Sequence, residues 1–524
     1  MTDKRDDQLD RRSFLGAAAG AAAGVGMAGM LSRPAEAQPP GPPPNEELRP
    51  SMQRPTTLYR LEADVRDCEV DGTIPDDMNG AFYRVGPDAQ YPLHPRNIPF
   101  DGEGHVSMFR IKNGRADYKS RFVRNERYMA QDKAGRGLFP IYRNPSMDDP
   151  SVAGLSRSTA NTHIINHRNY LLALKEDSPP AALDLLTLET IVPNYTFDNQ
   201  LPSLTFTAHP KLDSETGNMV AFGYEAEGHG SDVVSMFEFT PQGQRVWDAK
   251  IQVPYVGMLH DFAVTQNYIV FYVMPLAFDE AQMRDGGIHW SWDGTKPTFF
   301  GALRRGGDGS DVRWFEGPTR SATHVMGAFN DGEMLYVDVE MSMSNPFPFM
   351  PMRDGSRWDP IAGSSHITRL SVDLSRRRPR GYNIEQMYPH VGALPRQDDR
   401  YNTMPYRYGF LPCPDPAVPN PREAGACYAR FDHQTRQATL FNAGTTTSLA
   451  ECCFAPKSAS AREGEGYLMG VATRRDQNSR ADLVILDAEH LDDGPIATVR
   501  LPMRAVGQVH GWWVPEAQLP PSSA

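Results

Sequence analysis

The feature that most constrains the fold is a long succession of short segments rich in β-branched and aromatic residues. Examples are "GAFYRVG", "NYLLALK", "NYIVFYVMP" and "ADLVILDA", each bounded by Gly, Asp, Asn or Pro. This pattern predicts strands joined by turns, and the 44 glycines and 45 prolines spread along the chain agree with it. Helical periodicity is scarce, and only "FDEAQMRD" at 278–285 predicts a short helix.

The strand-like segments define one large domain. They continue without a compositional break from about residue 56 to about 516, which leaves 517–524 as a C-terminal tail. Roughly 460 residues of short antiparallel strands suit a β-propeller better than a two-sheet sandwich. No clean internal repeat is visible, so the blades of such a propeller have diverged in sequence.

The N-terminal residues predict export. Arg11-Arg12-Ser13-Phe14-Leu15 precedes an Ala, Gly and Met run and the small-x-small pattern Ala35-Glu36-Ala37. This combination is typical of a twin-arginine signal, here residues 1–37, followed by a proline-rich linker at 38–55. The alternative is a transmembrane anchor, but alanine and glycine insert weakly. We therefore expect a periplasmic or otherwise exported protein, delivered by the twin-arginine (Tat) machinery, with no stable membrane span after cleavage.

Charge and cysteine usage exclude several classes of function. The chain has 53 basic and 65 acidic residues, a net charge of −12, and no basic block, so nucleic acid is not an expected partner. Its five cysteines are odd in number and lack CxxC spacing, which argues against a disulfide framework or a zinc-thiolate site. The chain contains no GxSxG motif of the kind that would indicate a serine nucleophile.

Four histidines stand out because each lies at the edge of a strand-like segment beside small or acidic residues. They are His209, His260, His324 and His510. Zinc fingers and HExxH helices take at least two ligands from one local element, and these histidines are too far apart for that. The inner strands of a propeller converge on one axis, where each can offer a single ligand. One such histidine alone is more often a hydrogen-bonded core residue, but the set indicates a metal ion.

Four neutral imidazoles would leave the charge of a divalent ion uncompensated. Buried carboxylates that accept the free N–H of the ligand histidines would fix their tautomers and return negative charge to the site. Glu176 in "LLALKED" and Glu451 in "LAECCFAP" are candidates, because both are acidic residues in apolar strand surroundings.

An ordered set of motifs resembles the carotenoid cleavage oxygenase family. It includes "GAFYRVGPDAQ", "AHPKLDSETG", "LHDFAVTQNYIVF" and "HGWWVPE", and it covers nearly the whole chain after the signal. The resemblance implies an all-β, seven-bladed β-propeller with loops capping one face and a non-haem Fe(II) on its axis. The four histidines above would hold the iron. Glu176 and Glu451 match two of the three supporting glutamates, but Ala393 stands where the third is expected, so water or a neighbouring group would have to replace it.

Two longer segments, "GLFPIYRNPSMDDPSV" and "STANTHIINHRNYLLALKEDSPPAALDLLTLET", resemble the lignostilbene and resveratrol-cleaving branch. This likeness implies that Tyr142 and Lys175 bind the 4-hydroxyl group of a phenolic substrate and that Thr162 lies beside the open position of the iron. Phe100 would be an aromatic wall of the substrate site. A buried lysine needs an anion or a strong acceptor, so the alternative for Lys175 is an ordinary ion pair inside the barrel.

The resemblance implies a dioxygenase that cleaves the central C=C bond of a phenolic stilbene with O2 to give two aldehydes. An isoeugenol-type phenylpropanoid or an apocarotenoid stays open as the substrate. A non-catalytic, exported, ligand-binding propeller, weakened in metal binding by Ala393, also stays open. A zinc hydrolase is disfavoured, because no carboxylate or histidine is positioned by the sequence as a base for bound water.

Overall fold

The computed structural model describes residues 60–376, 381–421 and 423–521. The predicted export signal and linker lie outside these residues. In the described part of the chain, none of the helices combines the length and the apolar character needed to cross a membrane.

Short strands make up most of the described chain. In its first half these are β1 Ala63–Val65, β2 Glu69–Gly72, β3 Gly80–Asp88, β4 Glu103–Lys112, β5 Arg115–Phe122, β6 His163–His167, β7 Tyr170–Leu174, β8 Ala181–Leu183, β9 Thr190–Val192, β10 Lys211–Leu212, β11 Met219–Gly223, β12 Val233–Phe239, β13 Arg245–Gln252, β14 Phe262–Val264, β15 Tyr268–Val273 and β16 Leu276–Phe278. In the second half they are β17 Trp290–Trp292, β18 Thr298–Arg304, β19 Arg313–Gly317, β20 Ser321–Asp331, β21 Met334–Ser342, β22 His366–Asp373, β23 Asn383–Gln386, β24 Arg396–Gln397, β25 Tyr408–Pro414, β26 Ala426–Asp432, β27 Gln437–Asn442, β28 Thr447–Pro456, β29 Gly466–Arg474, β30 Arg480–Asp487, β31 Pro495–Arg500 and β32 His510–Pro515.

Seven sheets of four or five antiparallel strands form the blades. In ring order, blade 1 is β1-β5-β4-β3-β32, blade 2 is β6-β7-β8-β9, blade 3 is β10-β11-β12-β13, blade 4 is β14-β15-β18-β19, blade 5 is β20-β21-β22-β23, blade 6 is β24-β25-β26-β27 and blade 7 is β2-β31-β30-β29-β28. The β16-β17 hairpin is separate. The prediction of an all-β, seven-bladed propeller is therefore confirmed.

Both ends of the described chain close the ring. The last strand, β32, pairs with β3 of blade 1, from Gly80 opposite Pro515 to Val85 opposite His510. Near the other end, β2 pairs with β31 of blade 7. This exchange joins the first and last blades by backbone hydrogen bonds, so the ring has no free edge at its seam.

Helices are few, as the sequence predicts, but one was missed. The expected short helix is present as α2, Glu280–Arg284, whereas α1, Glu126–Ala134, has no apolar stripe to reveal it. The ends of α1 are defined by capping instead: the Asn125 side chain accepts from the Tyr128 N–H, and Gly135 ends the helix at a φ of 67°. Single 3₁₀ turns lie at Pro145–Met147, Pro150–Val152, Asp399–Tyr401, Leu491–Asp493 and Glu516–Gln518.

Apolar side chains fill the space between neighbouring blades. At the seam, Phe82 and Phe109 of blade 1 pack in one cluster with Met469 and Ile485 of blade 7. All five cysteines are buried and unpaired, which agrees with the sequence argument against a disulfide framework. Inter-blade packing of this kind holds the inner strands at fixed positions around the axis.

Candidate metal centre and substrate cavity

The four predicted histidines converge. His209 and His260 each lie two residues before a strand, β10 and β14, the first strands of blades 3 and 4. His324 lies within β20 of blade 5, and His510 begins β32 of blade 1. Their ring centroids are 4.6 to 5.0 Å apart around the cluster, and their ligand atoms all lie within 4.8 Å of one another.

The ring nitrogens that face each other fit a cation. The Nε2 atoms of His209 and His260 are 3.3 Å apart, and those of His260 and His324 are 3.0 Å apart. The buried Nε2 of His510 has no hydrogen-bond partner in the part of the chain that the structure describes. Burial lowers the pKa of His510 to about 4 and that of His209 well below its ordinary value, so both rings are neutral. A set of four imidazoles suits a first-row divalent metal such as iron, zinc or copper.

Buried glutamates hold the outward nitrogens of three of these rings. The Nδ1 atom of His260 is hydrogen-bonded to Glu176, and that of His510 lies 2.8 Å from Glu451 Oε1. These contacts place the proton on Nδ1 and leave Nε2 free to face the centre. The structure thus puts Glu176 and Glu451 where the sequence analysis expected them.

The third carboxylate comes from Glu340, which the sequence analysis missed. Glu340 in β21 places Oε2 2.7 Å from His324 Nδ1. Ala393 is fully buried and offers no carboxylate, but the N–H of the next residue, Leu394, donates to the same Glu340 oxygen at 3.1 Å. Position 393 therefore lacks the glutamate, as expected, and Glu340 is the neighbouring group that takes its place. The signal was an acid next to Val339 in the strand-like segment "EMLYVDVE", the hairpin partner of the strand that carries His324.

Burial raises the pKa of each of these carboxyl groups, but their partners lower it more. For Glu451 the partners are His510 and Arg396, and for Glu340 they are His324 and the Leu394 N–H. The net pKa of both groups, and of Glu176 beside His260, is lowered. Three carboxylates that favour the ionised form therefore surround the four imidazoles.

Irregularities in two strands orient the side chains of His324 and Glu451. The register between β20 and β21 shifts between Ala322 and Val325, on either side of His324. The register between β28 and β29 shifts between Leu449 and Cys452, on either side of Glu451. Bulges of this kind turn a side chain out of the regular alternation of a strand.

Two buried charged groups fix these bulges. Asp261, next to His260, accepts the Val325 N–H through Oδ2 at 2.8 Å. Arg84 donates to the carbonyls of Glu451, Gln508 and Val509 at 2.9 to 3.0 Å. Both are long-range contacts between blades, and no local motif in the sequence indicates them.

An apolar cavity of about 130 Å³ adjoins the histidines. His260, His324 and His510 form part of its wall, and Phe347, Phe349 and Met350 form another part. The remaining predicted site residues line the same cavity: Phe100, Tyr142, Thr162 and Lys175. The structure therefore brings every predicted substrate-binding residue to one place beside the candidate metal centre.

Lys175 is buried in this cavity without a counter-ion. Its Nζ atom lies 3.2 Å from Asn161 Oδ1 and 3.5 Å from Thr162 Oγ1, and 5.3 Å from the centre of the Tyr142 ring. No carboxylate of the described residues is within ion-pair distance of it, so the alternative of an ordinary ion pair does not hold. Asn161 presents its oxygen to Lys175 because its amide N–H groups donate to the carbonyls of Phe100 and Gly102.

Comparison with known proteins agrees with this geometry. The family model described as retinal pigment epithelial membrane protein matches residues 57–515. A lignostilbene-α,β-dioxygenase isozyme III from Sphingomonas paucimobilis is 38% identical over 88% of this chain and 96% of its own length. An isoeugenol monooxygenase from Pseudomonas nitroreducens is 36% identical over 87% of this chain and 96% of its own length.

A solved structure shares the whole fold. The lignostilbene dioxygenase of Pseudomonas brassicacearum superposes with a TM-score of 0.84 at 37% identity, covering 91% of this chain and 100% of that one. The family match spans nearly all described residues, and the relatives exceed 30% identity over most of both lengths. The chain therefore belongs to the retinal pigment epithelial membrane protein family, the carotenoid cleavage oxygenases that its motifs resemble.

Proposed function

We propose that the protein is an Fe(II)-dependent dioxygenase that cleaves the central C=C bond of a phenolic stilbene, of lignostilbene or resveratrol type, into two aldehydes. The observation that carries this proposal is Lys175, a cation buried in the cavity that three of the histidines also line. None of the described carboxylates pairs with it. The names of the relatives, lignostilbene dioxygenase and isoeugenol monooxygenase, support alkene cleavage.

The histidines His209, His260, His324 and His510 would hold the iron through Nε2. Bound Fe(II), with coordination positions left open, would supply the redox chemistry that lets O2 react with an alkene. The three ionised glutamates return negative charge to the site and fix the ring orientations, so the ligand set is ordered before the metal binds.

Lys175 and Tyr142 would bind the phenol end of the substrate. A phenol placed beside Lys175 finds a positive charge and little water, so its pKa falls and the phenolate forms more readily. A phenolate para to the alkene donates electron density into the double bond that O2 must attack. The Tyr142 ring faces Lys175, so its hydroxyl can serve as a second hydrogen-bonding group for the same oxygen.

The rest of the cavity would position the alkene and exclude water. Phe100 meets Phe349 edge to face, with ring centroids 5.2 Å apart, and Met350 is buried beside them. These side chains suit the flat, apolar body of a stilbene. Thr162, with its hydroxyl hydrogen-bonded to Asn161, is a small polar group on the wall and leaves space next to the histidines.

The reaction balances without a proton donor or acceptor. The C=C bond and the O–O bond break, two C=O bonds form, and each aldehyde carries one oxygen atom of O2. No general acid or base is therefore required of the protein. Its tasks are to place the alkene beside the metal, to hold the phenolate and to keep water out.

A substrate panel tests the proposal. The iron-loaded protein is incubated aerobically with 4-hydroxystilbene, 4-methoxystilbene, isoeugenol and an apocarotenal, and the products are identified by mass spectrometry under ¹⁸O2. We expect 4-hydroxybenzaldehyde and benzaldehyde from the hydroxystilbene, each labelled at its carbonyl oxygen, and little product from the methoxy analogue. If isoeugenol or the apocarotenal is cleaved faster than 4-hydroxystilbene, that compound represents the substrate class and the stilbene does not. Absence of any aldehyde with a full equivalent of bound iron would favour a non-catalytic binding protein.

We also propose that residues 1–37 direct folded, metallated protein to the periplasm through the Tat machinery. Arg11 and Arg12 before an Ala-rich run, with the Ala35-Glu36-Ala37 pattern, support this proposal. Replacing both arginines with lysine should trap the protein in the cytosol, and the exported form should begin at about residue 38, as N-terminal sequencing would show. Apo protein in the cytosol with metallated protein only outside it would contradict loading before export.

A further inference from the structure

A second cavity lies against the four histidines and differs sharply from the apolar one. We call it the polar vestibule; its walls include His163, Lys211, Asp261, Arg396, Asp399 and Trp512. Its volume is about 60 Å³, and Asp399 at its wall keeps about a third of its side chain exposed (33%). His324 and His510 line both cavities, so each cavity leads to the same centre.

The two cavities lie on opposite sides of the imidazole cluster. Thr162 and Thr323 line the apolar cavity, whereas His163, the residue after Thr162, and Val325, two residues after Thr323, line the vestibule. Leu394 faces the apolar cavity, and Arg396 faces the vestibule. The inner strands therefore pass from one cavity to the other, and the candidate metal centre lies between them.

His163 is a fifth imidazole at this centre, and neither the predicted ligand set nor the proposed reaction uses it. Only 5% of its surface is exposed, and its buried Nδ1 has no hydrogen-bond partner among the described residues. Its ring centroid lies 5.1 Å from that of His510 and 5.5 Å from that of His209. An unpartnered nitrogen buried beside a cation site loses hydrogen-bonding energy unless a ligand or water meets it.

Electrostatics decide which cavity a hydrated cation can use. In the apolar cavity it would meet the uncompensated charge of Lys175 and phenylalanine walls that cannot replace its water shell. In the vestibule the cationic groups are already neutralised: Lys211 pairs with Asp261 at 2.7 Å, and Arg396 with Asp399 at 2.9 Å. Carboxylate oxygens and imidazole nitrogen there can replace lost water ligands.

We propose that the divalent metal ion reaches the four histidines through the polar vestibule and that His163 binds it transiently on the way. This proposal rests on the metal site of the proposed function but not on its substrate. Organic substrate and metal would then use opposite sides of the centre. Bound substrate would not block exchange of the metal, and the apolar cavity would never have to admit a hydrated cation.

Cobalt(II) uptake tests the route, because its visible absorption reports ligation without catalysis. Chelator-stripped protein is mixed with Co(II) in a stopped-flow instrument under nitrogen, and Co(II) release is measured separately by chelator capture. In His163→Asn we expect association and dissociation both to slow by about tenfold, the effect of one lost polar contact of ordinary strength. The equilibrium dissociation constant should be unchanged, because the route affects both directions equally.

Two further variants separate a ligand role from a structural one. His163→Asp has nearly the shape of His163→Asn but keeps a cation ligand, so it should load Co(II) faster than the asparagine variant. His167→Asn removes a buried histidine from the same strand, one that is hydrogen-bonded to the Thr240 carbonyl at 3.0 Å, and should load at the wild-type rate.

Several results would overturn the route. Equal association rates in wild type, His163→Asn and His163→Asp would do so. A weaker affinity that arises from faster release alone would make His163 a support for the ligand histidines instead. Failure of the wild-type protein to bind Co(II) at all would remove both the route and the metal site of the proposed function, whereas the other outcomes leave that site intact.

Discussion

Glu340 provides the sharpest test of how the site is built. Its carboxylate lies 2.7 Å from His324 Nδ1, accepts the Leu394 N–H at 3.1 Å, and is almost fully buried. Glu340→Gln keeps the size of the side chain and an acceptor oxygen but removes the charge. Glu340→Ala also removes the acceptor, so that His324 Nδ1 and the Leu394 N–H both lose their partner.

The two variants should differ in a defined way. Loss of a carboxylate behind a ligand histidine costs about 10- to 100-fold in metal affinity, or about 1.4 to 2.7 kcal/mol. We expect that loss in Glu340→Gln with little change in the stability of the metal-free protein. Glu340→Ala should lose a similar affinity and, in addition, about 1 to 3 kcal/mol of unfolding free energy, because a buried N–H is left unpaired. Competition with a chromogenic chelator measures the affinity, and urea unfolding of the metal-free protein measures the stability.

A control and a rescue complete the experiment. Glu333→Gln changes a glutamate of the same β20-β21 hairpin at its exposed turn and should leave Co(II) affinity unchanged. In Glu340→Ala with Ala393→Glu, position 393 supplies a carboxylate from the neighbouring blade and should recover part of the affinity. If Glu340→Gln binds Co(II) and Fe(II) as tightly as the wild type, the reasoning that Glu340 replaces the absent glutamate is refuted.

Three other outcomes follow from the same contacts. Lys175→Met should lower kcat/KM for 4-hydroxystilbene by about 10- to 100-fold, because one charge-assisted hydrogen bond to the phenol is lost. The slow reaction of 4-methoxystilbene should be unchanged. Equal losses of kcat/KM for both substrates would contradict a role of Lys175 in phenol binding. Arg84→Met should cost about 2 to 4 kcal/mol in urea unfolding, because three buried carbonyls lose their donor, whereas the exposed control Arg462→Met should cost almost nothing. A chain that ends at Val509 lacks β32, so we expect it not to elute as a monomer on size exclusion and not to melt cooperatively. A chain that ends at Gln518 keeps β32 and should do both. A folded monomer of the shorter chain would contradict closure of the ring by β32.

The class of fold could be predicted because its signal is local. Short β-branched segments separated by turn residues identify strands, and many of them in one chain favour a propeller. The exchange of β2 and β32 between the end blades could not be read in this way, because strand pairing across the whole chain leaves no trace at either strand alone. Helix α1 was not predicted because its buried side chains, Arg127 and Gln131, are polar and break the apolar periodicity.

In the candidate site, too, residues with a local signal could be predicted and residues that depend on distant contacts could not. The four histidines, Glu176 and Glu451 were found because an acid or imidazole beside apolar strand residues is unusual, and the family motifs then ordered them. Glu340 has the same local appearance but was not predicted, because the family resemblance indicates position 393, here Ala393, for the third glutamate. His163, Asp261 and Arg84 depend on contacts between blades, and a sequence without a structure cannot show which distant strands meet.

The arrangement explains how one supporting carboxylate can change its place in the chain while the site survives. The ligand histidines come from blades 3, 4, 5 and 1, and the glutamates come from blades 2, 5 and 7. Blade 6 contributes through the Leu394 N–H to Glu340. A histidine at the axis needs an acceptor behind Nδ1, but several strands run within reach of that atom, so the acceptor can come from a neighbouring blade or from the hairpin partner of the histidine's own strand. Glu176 and Glu451 join different blades, whereas Glu340 acts within blade 5 and is tied to blade 6 by one backbone hydrogen bond. The chemistry therefore constrains the position of the oxygen atom in space and leaves its position in the sequence free.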